Sequence, residues 1–411
     1  MISGIIPHLR SDIKGDVYEE DGKEYILLSD PYGYASQPVS LPFEFSGYFS
    51  FLDGKTDVGK IKSDLENEYS DDEVTEFLES FHDLVNFLDY MCYLDTPRFH
   101  WIKQDVDNYL FSSVRPAYCS GSSYSDEPDT LRIELNEIFS SVNQNDIKSG
   151  AELIIVPHID FRIGENAHKA YASGYHALRE NTPDLIVIFG TSHYGSSKRF
   201  ILTEKNFETP LGIAITATDI IDKLRDNFTD NDDLIIDDIS HRHEHSIEFQ
   251  VLLSQHYFGN PNIRILPILV NSFASDIFND RIPVDDNGFK AFVEKLKEII
   301  LLSGYTPVII SSVDMAHIGR KFGDEFDASD KLESLKNEDN KLIHHLASIK
   351  PDDFFREVAK VKDKNKICGL APIYTALQYC KPSESRCLHY DIWHEEETKS
   401  AVSFASFAYY K

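Results

Sequence analysis

Val74, Phe77, Leu78, Phe81, Leu84, Val85 and Leu88 return at intervals of three and four positions, a spacing that predicts one long amphipathic helix. Ser70 and Glu73 stand just ahead of it, spaced as a capping box. Before that helix, "EYILLSD" alternates like a strand, "LPFEFSGYFSFLDG" reads as a helix closed by a turn, and "VGKIKSDLENEY" has helical spacing. With "YMCYLDTPRF" following the three helices, residues 1–110 read as a small α+β unit of winged-helix-like character, joined to the remainder near residues 103 to 115.

From 111 to 411 the texture changes. Apolar runs of strand length ("ELIIVPH", "DLIVIFGTSH", "IRILPILV", "PVIISSVDMAH") alternate with helical segments such as "ENAHKAYASGYHALRE". Strands that are apolar throughout, rather than at every second position, are buried on both faces. The expectation is therefore an α/β domain, a mixed and largely buried sheet flanked by helices. "CLHYDIW" and "AVSFASFAYY" add two closing strands, the second alternating small and aromatic residues.

In such sheets functional groups gather beyond the carboxyl ends of the strands. His158 follows its apolar run through Pro157, and His193 follows another in "GTSHYG", where Gly190 and Gly195 let the chain turn tightly. A third run leads to Asp314 and His317, an aspartate and imidazole suited to acid/base work if the first orients the second. Cys368 precedes Gly369 where a loop enters a helix, a position whose dipole favours a thiolate. Separately, "HRHEHSIEFQ" contains His241-x-x-Glu244-His245, the spacing in which two histidines one helical turn apart bind zinc and a glutamate activates water. A zinc hydrolase is one reading of that stretch, although it ignores the histidines at the strand ends.

Composition narrows the classes. A net charge of −29 repels phosphate backbones and anionic lipid, so neither nucleic acid nor a membrane surface is an expected partner. Five cysteines without C-x-x-C pairing argue against a disulfide framework and a zinc ribbon. No apolar run approaches the roughly 18 residues that span a bilayer, and the first residues do not read as a signal peptide, so the expected location is the cytoplasm.

"RPAYCSGSSYSDEPDTL", "VPHIDFRIG", "GTSHYG", "ETPLG", "EHSIEFQ", "RILPILV", "SSVDMAHIG" and "ICGLAPI" follow one another along the chain. From about residue 115 to the carboxyl terminus, this succession resembles the MEMO family, also called AmmeMemoRadiSam system protein B. Members of that family are similar in fold to class III extradiol dioxygenases, non-haem iron enzymes that cleave aromatic diol rings. The opening unit resembles the small PqqD-like winged-helix domain attached to some bacterial members. The resemblance implies metal ligands at His158, His193 and Cys368, with Asp314 and His317 in the same pocket as the acid/base pair. It places Glu244, His245, Glu248 and Cys119 around that pocket and makes the H-x-x-E-H match a coincidence. Ser123 stands where the family often has an aromatic residue and Cys119 where a histidine is common. "PHIDF" replaces "PHAGY", and "CGLAP" the "CGRHP" of animal members.

Two imidazoles and one anionic ligand resemble the facial triad of non-haem iron sites, but a thiolate softens the set toward copper, with zinc a further competitor. Two functions follow from the resemblance. One is a non-haem iron- or copper-dependent oxidoreductase; the other is a metal-binding adaptor acting with a radical-SAM partner and a companion protein, with a small-molecule or peptide ligand.

Overall fold

Ser70 and Glu73 do form the capping box their spacing predicts. The serine hydroxyl accepts from the Glu73 amide, and the Glu73 carboxylate accepts from the Ser70 amide at 2.9 Å, which opens the helix Asp71–Tyr90. A computed structural model describes residues 4–20, 22–35, 37–194, 196, 198–229 and 233–411. Gly195, expected above to shape the turn after His193, lies outside the described residues. The chain divides into two units, Met1–Ser112 and Ser113–Lys411.

In the smaller unit, "EYILLSD" supplies the middle strand of an antiparallel meander made by Lys14–Glu20, Lys23–Ser29 and Val39–Pro42. The segment expected as a helix around "LPFEFSGYFSF" is a 3₁₀ run, Phe43–Phe51. Phenylalanine, serine and glycine are weak α-formers, and the tighter turn suffices to bring Phe45, Tyr48 and Phe49 against the core of Leu28, Leu41, Phe81 and Leu88. "YMCYLDTPRF" divides differently from the expectation. Leu94–Asp95 is a two-residue strand, after which Thr96 caps a helix, Pro97–Phe111, with proline in its first turn. That helix occupies much of the stretch read from sequence as a junction.

The larger unit holds a mixed sheet flanked by helices. Its main elements are β1 (Leu153–Val156), α1 (Glu165–Ala177), β2 (Leu185–Thr191), β3 (Gly212–Thr216), α2 (His245–Tyr257), β4 (Arg264–Val270), α3 (Asn287–Ser303), β5 (Pro307–Ser312), α4 (Leu370–Cys380), β6 (Glu384–Glu395) and β7 (Ser400–Tyr410). In space the strands run β6-β7-β1-β5-β2-β4-β3. β1, β5, β2, β4 and β3 are parallel to their neighbours along that row, while β7 lies antiparallel to both β1 and β6.

The two-sided burial read from the apolar runs is what the strands show. Leu153, Ile155, Val187, Phe189 and Ile309 face α3 and α4, packing with Phe292, Leu296, Ile373 and Leu377. The alternate residues Ile154, Val156, Ile186, Ile188 and Ile310 face α1 and α2, packing with Ala167, Tyr171, Ile247 and Leu252. Each buried Leu, Ile or Phe contributes about 1.5–3 kcal/mol relative to exposure, so the sheet's position between two helical layers is strongly determined.

Register then fixes the level of the functional edge. Ser312 of β5 is opposite both Val156 of β1 and Gly190 of β2. Two or three residues further on, each of these chains reaches His158, Asp314 or His193. No helix among the described residues is long and apolar enough to cross a membrane.

Candidate metal centre

His158 is delivered by β1 and is 2% exposed. Its Nδ1 lies 2.9 Å from the carbonyl of Ser312, and since a carbonyl only accepts, Nδ1 carries the proton and Nε2 is left with its lone pair. Burial, with His245 and His193 nearby, holds this imidazole neutral, well below its ordinary pKa. The lone-pair side faces the Sγ of Cys368 at 3.5 Å.

Cys368 is set by the loop leading into α4. Gly369 donates its amide to the Asp314 carbonyl at 3.0 Å, and a Cβ on Gly369 would lie 2.5 Å from that same oxygen, so only glycine lets the cysteine approach so closely. The carbonyl of Cys368 accepts from the Thr191 hydroxyl at 3.1 Å, which ties the loop to the end of β2. Burial pushes the thiol up, while hydrogen bonding from His193 opposes it.

His193 leaves the end of β2 and meets Glu244, the residue that caps α2. Glu244 accepts from the His193 amide at 2.9 Å, from His193 Nδ1 at 2.9 Å and from the Ser246 amide at 2.9 Å. Burial works against a charge on His193, but Glu244 foremost, and then Cys368, carry its pKa up to about 11. Glu244 is fully buried, yet His193 and His245 hold it well below the usual carboxylate range. Its location at a helix amino terminus adds to that stabilisation. Gly190 permits the close packing: a Cβ there would stand 2.6 Å from the Ser246 hydroxyl.

One ligand atom each from His158, His193 and Cys368 lies within 4.8 Å of the others. A sulfur and a nitrogen on one tetrahedral ion, at about 2.3 and 2.0–2.1 Å, stand about 3.6 Å apart. The 3.5 Å between Cys368 Sγ and His158 Nε2 fits that spacing. The side chains of His193 and His245, 31% and 35% exposed, form the solvent side of the cluster. Cavities of about 500 and 620 Å³ open elsewhere, one between residues 121–126 and Phe161, the other around Lys297 and Tyr305, and neither is lined by a residue of this cluster.

Asp314 and His317 do not form the pair expected of them. The Asp314 carboxylate turns back to the His158 amide at 3.1 Å, with its other oxygen 3.7 Å from His158 Nε2. His317 instead donates from Nδ1 to the Lys366 carbonyl at 3.1 Å and sits edge-on to Phe322. An aspartate three residues before a histidine shares its face only on a helix. Here Asp314 and the two residues after it belong to no helix, and His317 opens a short strand, His317–Gly319, paired with β7, so the two side chains do not share a face. Burial raises the Asp314 carboxyl to about 7 and lowers His317 to about 4.

The H-x-x-E-H stretch is not one helix. Asp238–Arg242 forms a short helix, His243 ends it, and Glu244 caps the next, so His241 and His245 are not one turn apart. His241 is wholly buried and its Nε2 bonds to the Ile201 carbonyl at 3.0 Å. The spacing therefore does not put the two histidines on one helical face, the arrangement that the zinc-hydrolase reading needs. His245 does reach the cluster, stacked on His193 with ring centroids 4.8 Å apart and 5.0 Å from the ring of His158. With His193 and Glu244 it makes a second set of clustered donors.

Glu248 and Cys119 belong to a neighbouring brace. Glu248 receives the Arg115 guanidinium at 2.6 Å, the amides of Tyr118 and Cys119 at 3.1 and 2.8 Å, and the Tyr124 hydroxyl. Burial and then Glu248 push the Cys119 thiol up to about 12. Arg115 itself escaped the sequence reading. Two of its acceptors are carbonyls and one a carboxylate more than a hundred residues away, and the local signal is an arginine beside a proline at the start of a buried segment.

Residues 115–408 match the model of a family described as Memo-like protein. The chain belongs to the Memo-like family. A MEMO1 family protein of Aquifex aeolicus is 31% identical over 393 residues, covering 93% of this chain and 96% of its own length. Similar proteins of the same description occur in Pyrococcus furiosus, 25% identical over 71% of this chain and 98% of the relative, and in Sulfolobus acidocaldarius, 27% identical over 65% and 88%. Coverage of 93% is more than Ser113–Lys411 alone could supply, so the likeness to the Aquifex relative reaches into the smaller unit. The family match itself spans every residue of the His158, His193 and Cys368 cluster.

Proposed function

We propose that this Memo-like protein holds iron or copper on His158, His193 and Cys368 and works as a non-haem metal-dependent oxidoreductase related to the class III extradiol dioxygenases. The observation that carries the reading is the convergence of three donors from three separate loops on one point at the carboxyl edge of the sheet. The donors fit such an ion chemically: His158 is neutral with Nε2 facing inward, His193 is oriented by a carboxylate, and Cys368 supplies a soft anion. A bound iron or copper would supply electron transfer and positions for substrate and oxygen.

The remaining groups handle protons. His317, neutral at physiological pH and protonated at Nδ1, is able to accept a proton at Nε2. Asp314, with a pKa of about 7, holds or releases a proton beside His158.

Cys368 is also the observation behind a second reading. A thiolate in place of the usual carboxylate favours holding a soft ion, zinc included, over activating oxygen, as suits an adaptor working with a radical-SAM protein and a companion protein in the cytoplasm. Metal analysis of protein purified without oxygen tests the metal, and oxygen uptake by the iron- and copper-loaded protein with a reductant and a panel of aromatic diols tests the chemistry. Metal-dependent uptake supports the oxidoreductase; stoichiometric metal without uptake supports the adaptor; no metal bound overturns both.

A further inference from the structure

Arg115 is wholly buried, which for a guanidinium demands nearly complete satisfaction of its donors. It finds this in an unusual set of partners. Nε donates to the His241 carbonyl at 2.7 Å, Nη2 to the Glu244 carbonyl at 2.9 Å, and Nη1 to the Pro116 carbonyl at 3.0 Å and to Glu248 at 2.6 Å. Phe207 packs against its face, 5.0 Å from the guanidinium carbon.

The two carbonyls of His241 and Glu244 flank the break between the short helix and α2. A planar fork with donors on both edges spans that break as no other side chain does. The break decides where Glu244 sits, because Glu244 is the capping residue whose carboxylate, three bonds out from its own backbone, holds both the amide and the ring of His193. Glu248 lies one turn into α2, so its ion pair with Arg115 locks the same helix start from the other side.

We propose that Arg115 is a positioning residue for the metal centre: it fixes the backbone of Glu244 and, through the Glu244 carboxylate, the orientation of His193, without touching the ion. The proposal rests on the metal-binding reading above and adds a path by which the strand Val114–Arg115 governs the site.

The test is a double-substitution cycle read by cobalt(II) and zinc(II) titration under reducing conditions. Arg115→Lys keeps the charge but cannot reach both carbonyls. Loss of the carboxylate–histidine support typically weakens metal binding about 10- to 100-fold, and Arg115→Lys is expected to fall in that range. The same change in a Glu244→Gln background is expected to add little, since the path from Arg115 to the metal passes through that carboxylate. The visible spectrum of the bound cobalt is expected to shift in Arg115→Lys as the His193 ring turns.

A role in folding alone would lower the melting temperature, weaken binding equally in both backgrounds and leave the cobalt spectrum unchanged, and that result overturns the proposal. If Arg115→Lys does not fold, Glu248→Gln serves in its place. Its amide oxygen still accepts from the Cys119 amide and the Tyr124 hydroxyl, while the second oxygen, which takes Arg115 and the Tyr118 amide, is gone and the ion pair with it, and the same dependence on Glu244 is expected. Failure of the unaltered protein to bind cobalt or zinc would overturn the metal reading itself, whereas normal binding by all the variants would overturn only the role of Arg115.

Discussion

Glu244 Oε1 lies 2.9 Å from Nδ1 of His193, and the same carboxylate also accepts the His193 amide. A residue held at both its backbone amide and its near ring nitrogen has one ring orientation. Replacing Glu244 by Gln keeps an acceptor but removes the charge and offers a competing amide donor. Metal affinity is expected to fall about 10- to 100-fold, with little loss of helix content; isothermal titration of the variant beside the unaltered protein measures it. An unchanged dissociation constant would show that the carboxylate serves α2 alone.

The pair also sets the pH dependence of binding. Without metal, His193 carries a proton up to a pKa of about 11, and the Cys368 thiol keeps its proton above the ordinary thiol pKa. A ligating imidazole must be neutral and a ligating cysteine a thiolate, so binding at neutral pH releases two protons. Affinity is therefore expected to rise with pH, by up to about 100-fold per unit below both pKa values. Titrations in buffers of different ionisation enthalpy count the protons directly. About two are expected for the unaltered protein and about one for Glu244→Gln, in which His193 has lost the charge that kept it protonated.

Cys368→Ala and His241→Ala discriminate the strand-end cluster from the H-x-x-E-H stretch. Removing the sulfur is expected to cut affinity steeply, because it deletes the only anionic donor of the three. Removing His241 is expected to leave affinity unchanged and to cost stability of about 1–3 kcal/mol, since the buried Ile201 carbonyl loses its donor. Metal titration with thermal unfolding of both variants reads the two effects separately, and metal loss confined to His241→Ala would reverse the assignment.

The apolar runs before His158, His193 and Asp314 made the strand ends legible, because strands buried on both faces leave an unmistakable texture. Cys368 was legible for a local reason, a thiol beside a glycine at a helix start. What sequence did not carry was who meets whom. Asp314 lies three residues from His317 yet serves His158, because no helix puts the two side chains on one face. His241 and His245 have the spacing of one helical turn, but a capping glutamate interrupts the helix. Arg115 was invisible, since three of its acceptors are backbone carbonyls that any sequence possesses and the fourth, the Glu248 carboxylate, is far away along the chain.

His317 and Asp314 consequently make separable predictions. His317→Ala is expected to bind metal almost normally and, in an oxidoreductase, to lose about 100- to 10,000-fold of its oxygen-dependent turnover. Asp314→Asn is expected to act on His158 instead, altering metal affinity before turnover, because its carboxylate bonds to the His158 amide. Oxygen uptake and metal titration on both variants check this; a metal defect in His317→Ala equal to that in Asp314→Asn would mean that both only support the ligands.

β7 is buried along its whole length and pairs with β1 on one side and β6 on the other. It is synthesised after all three donors, while β1 carries the first of them. Until residues 400–410 leave the ribosome, β1 presents an open edge beside an apolar sheet, the kind of edge that recruits other chains. During translation the incomplete chain is therefore at its most aggregation-prone just when all three donors have already been made, so metal supplied early would meet ligands whose scaffold has yet to close.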